Sequence, residues 1–221
     1  PVLGQVGEPS VEHGSSIARL TARAWSGHDG PVGQGWSRHG GACEMTMGQT
    51  PADALREQAV ARARALYLDH ANTYGCAETV FVTLKGLYGL ENPADASAAM
   101  ALNGGLAYSG GPCGAITGGA LAVGMLAESR IDDHKRAKLV ARELVHGTME
   151  VFRKTHGATD CRALIGYDLR APGEHDAFID SGLWREACMK QIETVTTHLA
   201  GLADPDIWEA AVQEIEVAPH G

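Results

Sequence analysis

Cys113 is the residue best placed to do chemistry in this chain, because of the run that delivers it: Gly104-Gly105-Leu106-Ala107-Tyr108-Ser109-Gly110-Gly111-Pro112-Cys113-Gly114-Ala115-Ile116-Thr117-Gly118-Gly119-Ala120. Glycine lets the backbone take positive φ and approach a ligand closely. Pro112 suits a first helical turn, where its missing N–H would be unpaired anyway. A cysteine at such a helix start gains acidity. The unpaired N–H groups and the positive end of the helix dipole favour thiolate, which is both the nucleophile and the metal ligand. The alternative is a tight turn whose small cysteine is simply buried among apolar neighbours.

The other cysteines widen the question. Five occur, Cys43, Cys76, Cys113, Cys161 and Cys188, an odd number in a 221-residue chain that is large enough to need no staples. This weighs against a disulfide framework and toward reduced thiols, a metal site or redox chemistry. No C-x-x-C pair occurs, which argues against zinc ribbons, thioredoxin-like sites and c-type haem attachment. Four of the five fall on four predicted helices, three of them at helix starts: Cys76 behind Gly75, Cys113 behind Pro112, and Cys161 behind Thr159-Asp160. Arg162 beside Cys161 would further favour thiolate. Separations of 37, 48 and 27 residues along this series mean that no local loop holds a site, so any joint site must form by helix packing. On the residues alone, structural cysteines and a shared site both stand.

The elements that would position these thiols are helical. Thr50-Pro51-Ala52-Asp53 starts a helix reaching about Ala71, with Leu55, Val60 or Ala59, Ala63, Leu66 and Tyr67 at three- and four-residue steps. A second opens at Cys76 and runs through Val80, Phe81, Leu84, Leu87 and Tyr88 to Gly89. Ala94 to Leu102 is short and alanine-rich. The helix after Cys113 is the predicted central one; Gly118, Gly119, Ala120, Ala122 and Gly124 permit close contact, and packing must offset a penalty of roughly 1 kcal/mol per helical glycine. Asp132-Asp133 caps a helix over about His134 to Lys154, with Leu139, Val140, Leu144, Val145, Met149 and Phe152 inward. Its Glu143-x-x-His146 has the spacing of a di-iron ligand pair, but it lies on a polar face without the second copy such sites need. After the Gly157 stop come a short helix at Cys161, a loop from Gly166 to Asp180, a helix from about Leu183 to Leu199 containing Cys188, and a short helix after Asp204. Strand signals are nearly absent, with no sustained apolar alternation bounded by hairpin dipeptides. The predicted fold is all-α: a compact helical bundle of about six to seven helices with an irregular N-terminal arm, divided into a glycine-rich extension at 1–49 and a four-cysteine domain at 50–217.

The arm holds ten glycines in its 49 residues and one plausible helix, about Ser16 to Trp25; Trp25, Trp36, Met45 and Met47 are its expected anchors. His13, His28, His39 and Cys43 match no metal-ligand spacing and read as loop residues.

Cys76-Ala77-Glu78, the glycine run into Cys113-Gly114-Ala115-Ile116-Thr117-Gly118, Cys161-Arg162-Ala163-Leu164-Ile165-Gly166-Tyr167-Asp168-Leu169, and Cys188 together resemble the C-GCAxxG-C-C family of redox-active proteins over about residues 70 to 192. A similar domain occurs in split-Soret cytochromes, in association with an iron-sulfur centre. Carried over residue by residue, the resemblance implies Cys76, Cys113, Cys161 and Cys188 as cluster ligands or redox thiols. The long arm with Cys43 departs from the family, and the chain has no C-x-x-C-H for haem.

Three functions follow. The first is electron transfer through a [2Fe-2S] or [4Fe-4S] cluster held by the four thiolates, with the glycine turn at Gly111, Gly114 and Gly118 letting backbone N–H groups bond the sulfurs and tune the potential. The second is a cluster-free thiol-disulfide protein or sensor. The third is an accessory subunit with structural cysteines. A redox partner protein is implied, with the chain forming a homo-oligomer or part of a larger complex. A net charge of −9 and a pI near 5.5 argue against nucleic acid or an anionic membrane. The most apolar run, Ala115 to Ala127, is too short to span a bilayer. The location read from this is cytoplasmic, with export after leader removal as the alternative. No nucleotide fold fingerprint or hydrolytic triad points to a substrate. Because residues 1–49 add little to the expected core, deleting them should leave helicity and any bound iron intact. Circular dichroism and iron analysis of the truncated protein check this; loss of either would place the arm within the domain.

Overall fold

The computed structural model describes residues 50–217. The expectations for Ser16 to Trp25, for the four anchors and for Cys43 lie outside the described residues. Eight α-helices follow in order: α1 Pro51–Tyr67, α2 Cys76–Leu87, α3 Gly114–Arg130, α4 His134–His156, α5 Cys161–Ile165, α6 Glu174–Asp180, α7 Met189–Ala200 and α8 Pro205–Val217. Short 3-10 turns occupy Ser97–Leu102 and Gly201–Ala203, and a π turn at Trp184–Cys188 leads into α7. The expected all-α fold is found, and among the described residues the only β feature is a single isolated bridge. No helix among them is long and apolar enough to cross a membrane.

Local signals set several of the helix starts. Thr50 Oγ1 accepts from Asp53 N at 3.2 Å while Asp53 Oδ2 accepts from Thr50 N at 3.2 Å, with Pro51 at the first helical position. Asp133 caps α4 by accepting from Arg136 N at 2.7 Å. Gly157 (φ 82°) and Gly166 (φ 77°) close α4 and α5 in the left-handed conformation. Two boundaries differ from expectation. Helix α1 stops at Tyr67 rather than Ala71, because residues 68–72 are all exposed and bring no apolar side chain to the core. The stretch read as a loop to Asp180 ends in α6, whose Phe178 is buried with its ring centroid 5.6 Å from that of Tyr167. The Pro172-Gly173 pair therefore starts a helix instead of continuing a loop.

Helix α3 is the central element, as its composition suggested. It packs against α2, α4 and α7, and Ala115, Ile116, Ala122, Val123, Leu126 and Ala127 are buried along it. Two glycines set its closest approaches. A Cβ at Gly118 would stand 2.2 Å from the Ala77 carbonyl oxygen, and one at Gly119 would stand 2.8 Å from Val195 Cγ1. Hydrogen in place of a side chain thus lets α3 lie directly on the first turn of α2, whereas Gly124 faces open space.

This contrast yields a paired test. Gly118→Ala should destabilise by about 3 kcal/mol, because the new methyl meets backbone that cannot swing aside. Gly124→Ala should be neutral or stabilising by about 1 kcal/mol, through helix propensity. Thermal melts of the two variants decide it; equal melting temperatures would contradict the close crossing.

Candidate functional site

A short backbone clasp brings Cys113 and Cys161 together. Cys113 N donates to Thr159 O at 2.8 Å, Cys161 N to Gly111 O at 2.7 Å and Arg162 N to Gly110 O at 3.0 Å, forming an antiparallel bridge between Pro112 and Asp160. Pro112 therefore does not occupy the first helical position expected of it. It lies in the extended clasp, Cys113 is the N-cap of α3 (φ −55°, ψ 133°), and the helix begins at Gly114. The clasp tolerates proline because its bonds come from Cys113 N and Cys161 N, leaving no work for the N–H that Pro112 lacks.

The clasp is fed by an unusual turn. Gly104, Gly105, Leu106, Ala107 and Tyr108 all have φ between 49° and 71°, five consecutive left-handed residues of which three carry a Cβ. Each such non-glycine costs roughly 1–2 kcal/mol. The strain is offset by Ala107 N to Ala101 O at 2.7 Å, Gly110 N to Gly104 O at 3.1 Å, Gly111 N to Gly105 O at 3.0 Å, and Arg170 Nη1 to Ala107 O at 3.2 Å. A Cβ at Gly105 would stand 2.4 Å from Gly111 O, so the turn closes only with glycine there.

Cys76 opens α2, and its surroundings are built by Asn103, which sequence reasoning passed over. Asn103 Oδ1 accepts from Ala77 N at 2.9 Å and from Cys76 Sγ at 3.7 Å, while its Nδ2 donates to Glu78 Oε2 at 2.7 Å. Glu78 Oε2 also accepts from Gly75 N at 2.9 Å. Backbone N–H groups of Gly104, Ala77 and Gly114 face the Cys76 sulfur, and a Cβ at Gly114 would come within 2.4 Å of it. Of the three glycines singled out beforehand, Gly114 thus lies on a sulfur, Gly111 lends its carbonyl to the clasp, and Gly118 sits at the α2 crossing.

Cys188 ends the π turn that precedes α7. Cys113 Sγ donates to Gln191 Oε1 at 3.5 Å; Gln191, itself buried, also lines a surface cavity of about 280 Å³ with Leu164, Leu183 and Ala187. Gln191 gave no sequence signal, since a polar residue on a helix face is ordinarily solvated. Glu143 and His146 are both exposed on α4, apart from the thiols.

All four thiols are free, and Cys113, Cys161 and Cys188 are 3%, 8% and 8% exposed, so their sulfurs are largely dry. Every pair among Cys76, Cys113, Cys161 and Cys188 is close enough to interact electrostatically. Four segments spread over 113 residues therefore converge. Their acidity is the reverse of that expected from the helix starts. Desolvation raises all four pKa values, Cys161 and Cys188 to about 12, and repulsion from neighbouring sulfurs adds to it for Cys113, Cys161 and Cys188; for Cys76 and Cys113 backbone N–H groups only reduce the rise. Arg162 does not acidify Cys161, because its guanidinium pairs with Asp168 Oδ1 at 2.8 Å and donates to Ser109 O at 3.4 Å. Among the described residues, no group of three or more His, Cys, Asp or Glu side chains is gathered as a ready metal grip.

Comparison with known proteins gives one match. The family described as "Putative redox-active protein (C_GCAxxG_C_C)" matches residues 74–202, more than half of the chain and all four converging cysteines. No curated protein and no solved structure matches.

The raised thiol pKa values have a signed consequence for stability. A group whose pKa is higher in the folded state stabilises the fold below its unfolded value and loses that contribution as pH rises through the folded one. Iron-free protein should therefore lose stability from about pH 9 to about pH 12 as Cys161 and Cys188 ionise. Melting temperature against pH checks this: a cysteine-dependent fall over that window is expected, and a Cys161→Ala/Cys188→Ala protein with the same fall would refute it.

Proposed function

We propose, for a chain that belongs to the C_GCAxxG_C_C family, that Cys76, Cys113, Cys161 and Cys188 form one redox centre and hold an iron-sulfur cluster for electron transfer. The observation that carries this reading is that the four thiols, three of them buried, lie close enough to interact with one another. Soft thiolates select iron-sulfur clusters over hard cations, and four satisfy either a [2Fe-2S] or a [4Fe-4S] cluster. When bound, such a cluster supplies one-electron chemistry.

The chain's own groups complete the site. Backbone N–H groups of Ala77 and Gly114 at Cys76, and of Ala115 at Cys113, are donors to sulfur, the kind of contact that sets a reduction potential. Gly114 and Gly118 keep side chains out of the space between the α2 and α3 starts, while Gly111 belongs to the clasp. Burial holds the free thiols protonated near neutral pH, which disfavours the cluster-free thiol-disulfide reading: that chemistry needs a thiolate to attack, whereas a metal removes the proton on binding. Residues 50–217 act as the redox domain and residues 1–49 as an extension, and electron transfer calls for a redox partner protein.

Anaerobically isolated protein should contain iron and acid-labile sulfide in near-equal amounts, with visible charge-transfer absorption. Serine at Cys76, Cys113, Cys161 or Cys188 should remove or alter that spectrum, since hydroxyl is a harder and less acidic ligand; Cys43→Ser should leave it unchanged. Colourless protein without iron after reconstitution, or five variants with identical spectra, would overturn the cluster.

A further inference from the structure

The cavity of about 280 Å³ beside the thiols lies where α5, the π turn and α7 meet. One of its walls is Gln191, only 5% exposed, whose Oε1 accepts from Cys113 Sγ at 3.5 Å. The oxygen and nitrogen of an amide diverge, so Nε2 turns away from that sulfur. Nε2 has no hydrogen-bond partner among the described residues, and it is not one of the polar atoms sealed from solvent. A donor left unpaired in a buried side chain costs free energy, and this one opens on the cavity that Gln191 lines.

The other walls define what would satisfy it. Leu164, Leu183 and Ala187 are apolar and partly buried. Lys190 and Glu186, one of each charge, are exposed, and neither side chain is paired among the described residues. His156 is already engaged: Thr194 Oγ1 donates its one proton to Lys190 O at 2.9 Å, so the His156 ring donates its Nε2–H to Thr194 Oγ1 at 2.9 Å and stands as a fixed wall. An amide donor, an ammonium, a carboxylate and an apolar patch, in a space at the small end of ligand pockets, match a zwitterion with a short hydrocarbon side chain.

We propose that this cavity binds a small α-amino acid with an apolar side chain. Its carboxylate is taken by Gln191 Nε2 and Lys190, its ammonium by Glu186, and its hydrocarbon by Leu164, Leu183 and Ala187. The polar contacts are charge-assisted and therefore stronger than neutral ones. Gln191 would touch the ligand with one end of its amide and Cys113 with the other, which sets the ligand one side chain away from a sulfur of the redox centre.

The test titrates the full chain, its thiols kept reduced, with L-leucine, with isovalerate, which lacks the ammonium, and with isopentylamine, which lacks the carboxylate. Nitrogen-resolved NMR of the side-chain amides reads the binding. Leucine should shift the Gln191 amide signals saturably, and each truncated compound should bind about tenfold more weakly through loss of one charge-assisted contact. Glu186→Gln should weaken leucine about tenfold and leave isovalerate unchanged, whereas Lys190→Gln should weaken both. Both residues are exposed, so these variants keep the fold. No saturable shift with leucine, equal affinities for the three compounds, or wild-type leucine affinity in both variants would overturn the proposal. No cofactor takes part, so any of these results would leave the reading of the four thiols standing; protein that binds leucine but takes up no iron on reconstitution would overturn that reading alone.

Discussion

The structure depends on one close crossing, that of α3 over the first turn of α2. Gly114 and Gly118 are one helical turn apart and lie against Cys76 and Ala77, at distances where a methyl group would overlap backbone or sulfur. Hydrophobic burial drives the helices together without direction, but it is the missing side chains that decide how near their N-termini come. From that crossing the rest follows. The Cys113 cap is set beside Cys76, the Pro112–Asp160 clasp hangs α5 on the same corner, and α7 closes over Gly119 through Val195 and Leu199, bringing Cys188 and Gln191 down onto the sulfurs.

Two electrostatic effects oppose one another at this corner. Helix N-termini lower a thiol's pKa, and three of the cysteines occupy such positions or cap them. Desolvation raises it, and here desolvation wins because the helices that offer their N–H groups also exclude water. Burial therefore keeps these thiols protonated near neutral pH even though backbone N–H groups face the Cys76 and Cys113 sulfurs. The same donors without burial would describe a reactive surface thiol. The acidity of such thiols is thus decided by packing more than by the helix ends.

Much of this was legible in the sequence, and the limits have physical causes. The helices, the Thr50 and Asp133 caps, the Gly157 and Gly166 stops and the small-residue character of α3 follow from local chemistry, so they could be read residue by residue. The order and context of Cys76, Cys113, Cys161 and Cys188 pointed to one family. Convergence itself, the sign of the pKa shifts and the diversion of Arg162 to Asp168 depend on contacts between segments far apart in the chain, which no window contains. Leu106, Ala107 and Tyr108 in the left-handed region contradict their own preferences and are held there by bonds to Ala101, Asn103 and Arg170. Asn103 and Gln191 looked like ordinary polar residues; only the fold shows that each faces a sulfur.

The clasp between Gly110–Cys113 and Thr159–Arg162 also governs when the site can exist. It closes across a span of nearly fifty residues, and the fourth sulfur lies 112 residues beyond Cys76. At 5–20 residues per second of chain synthesis, Cys76 waits roughly 6 to 20 seconds before Cys188 is even made. Until the later segments pack on them, the first thiols lack the full burial that raises their pKa values in the fold. The burial around Cys113 and Cys188 includes α7, so the raised pKa values belong to the completed fold and not to the growing chain.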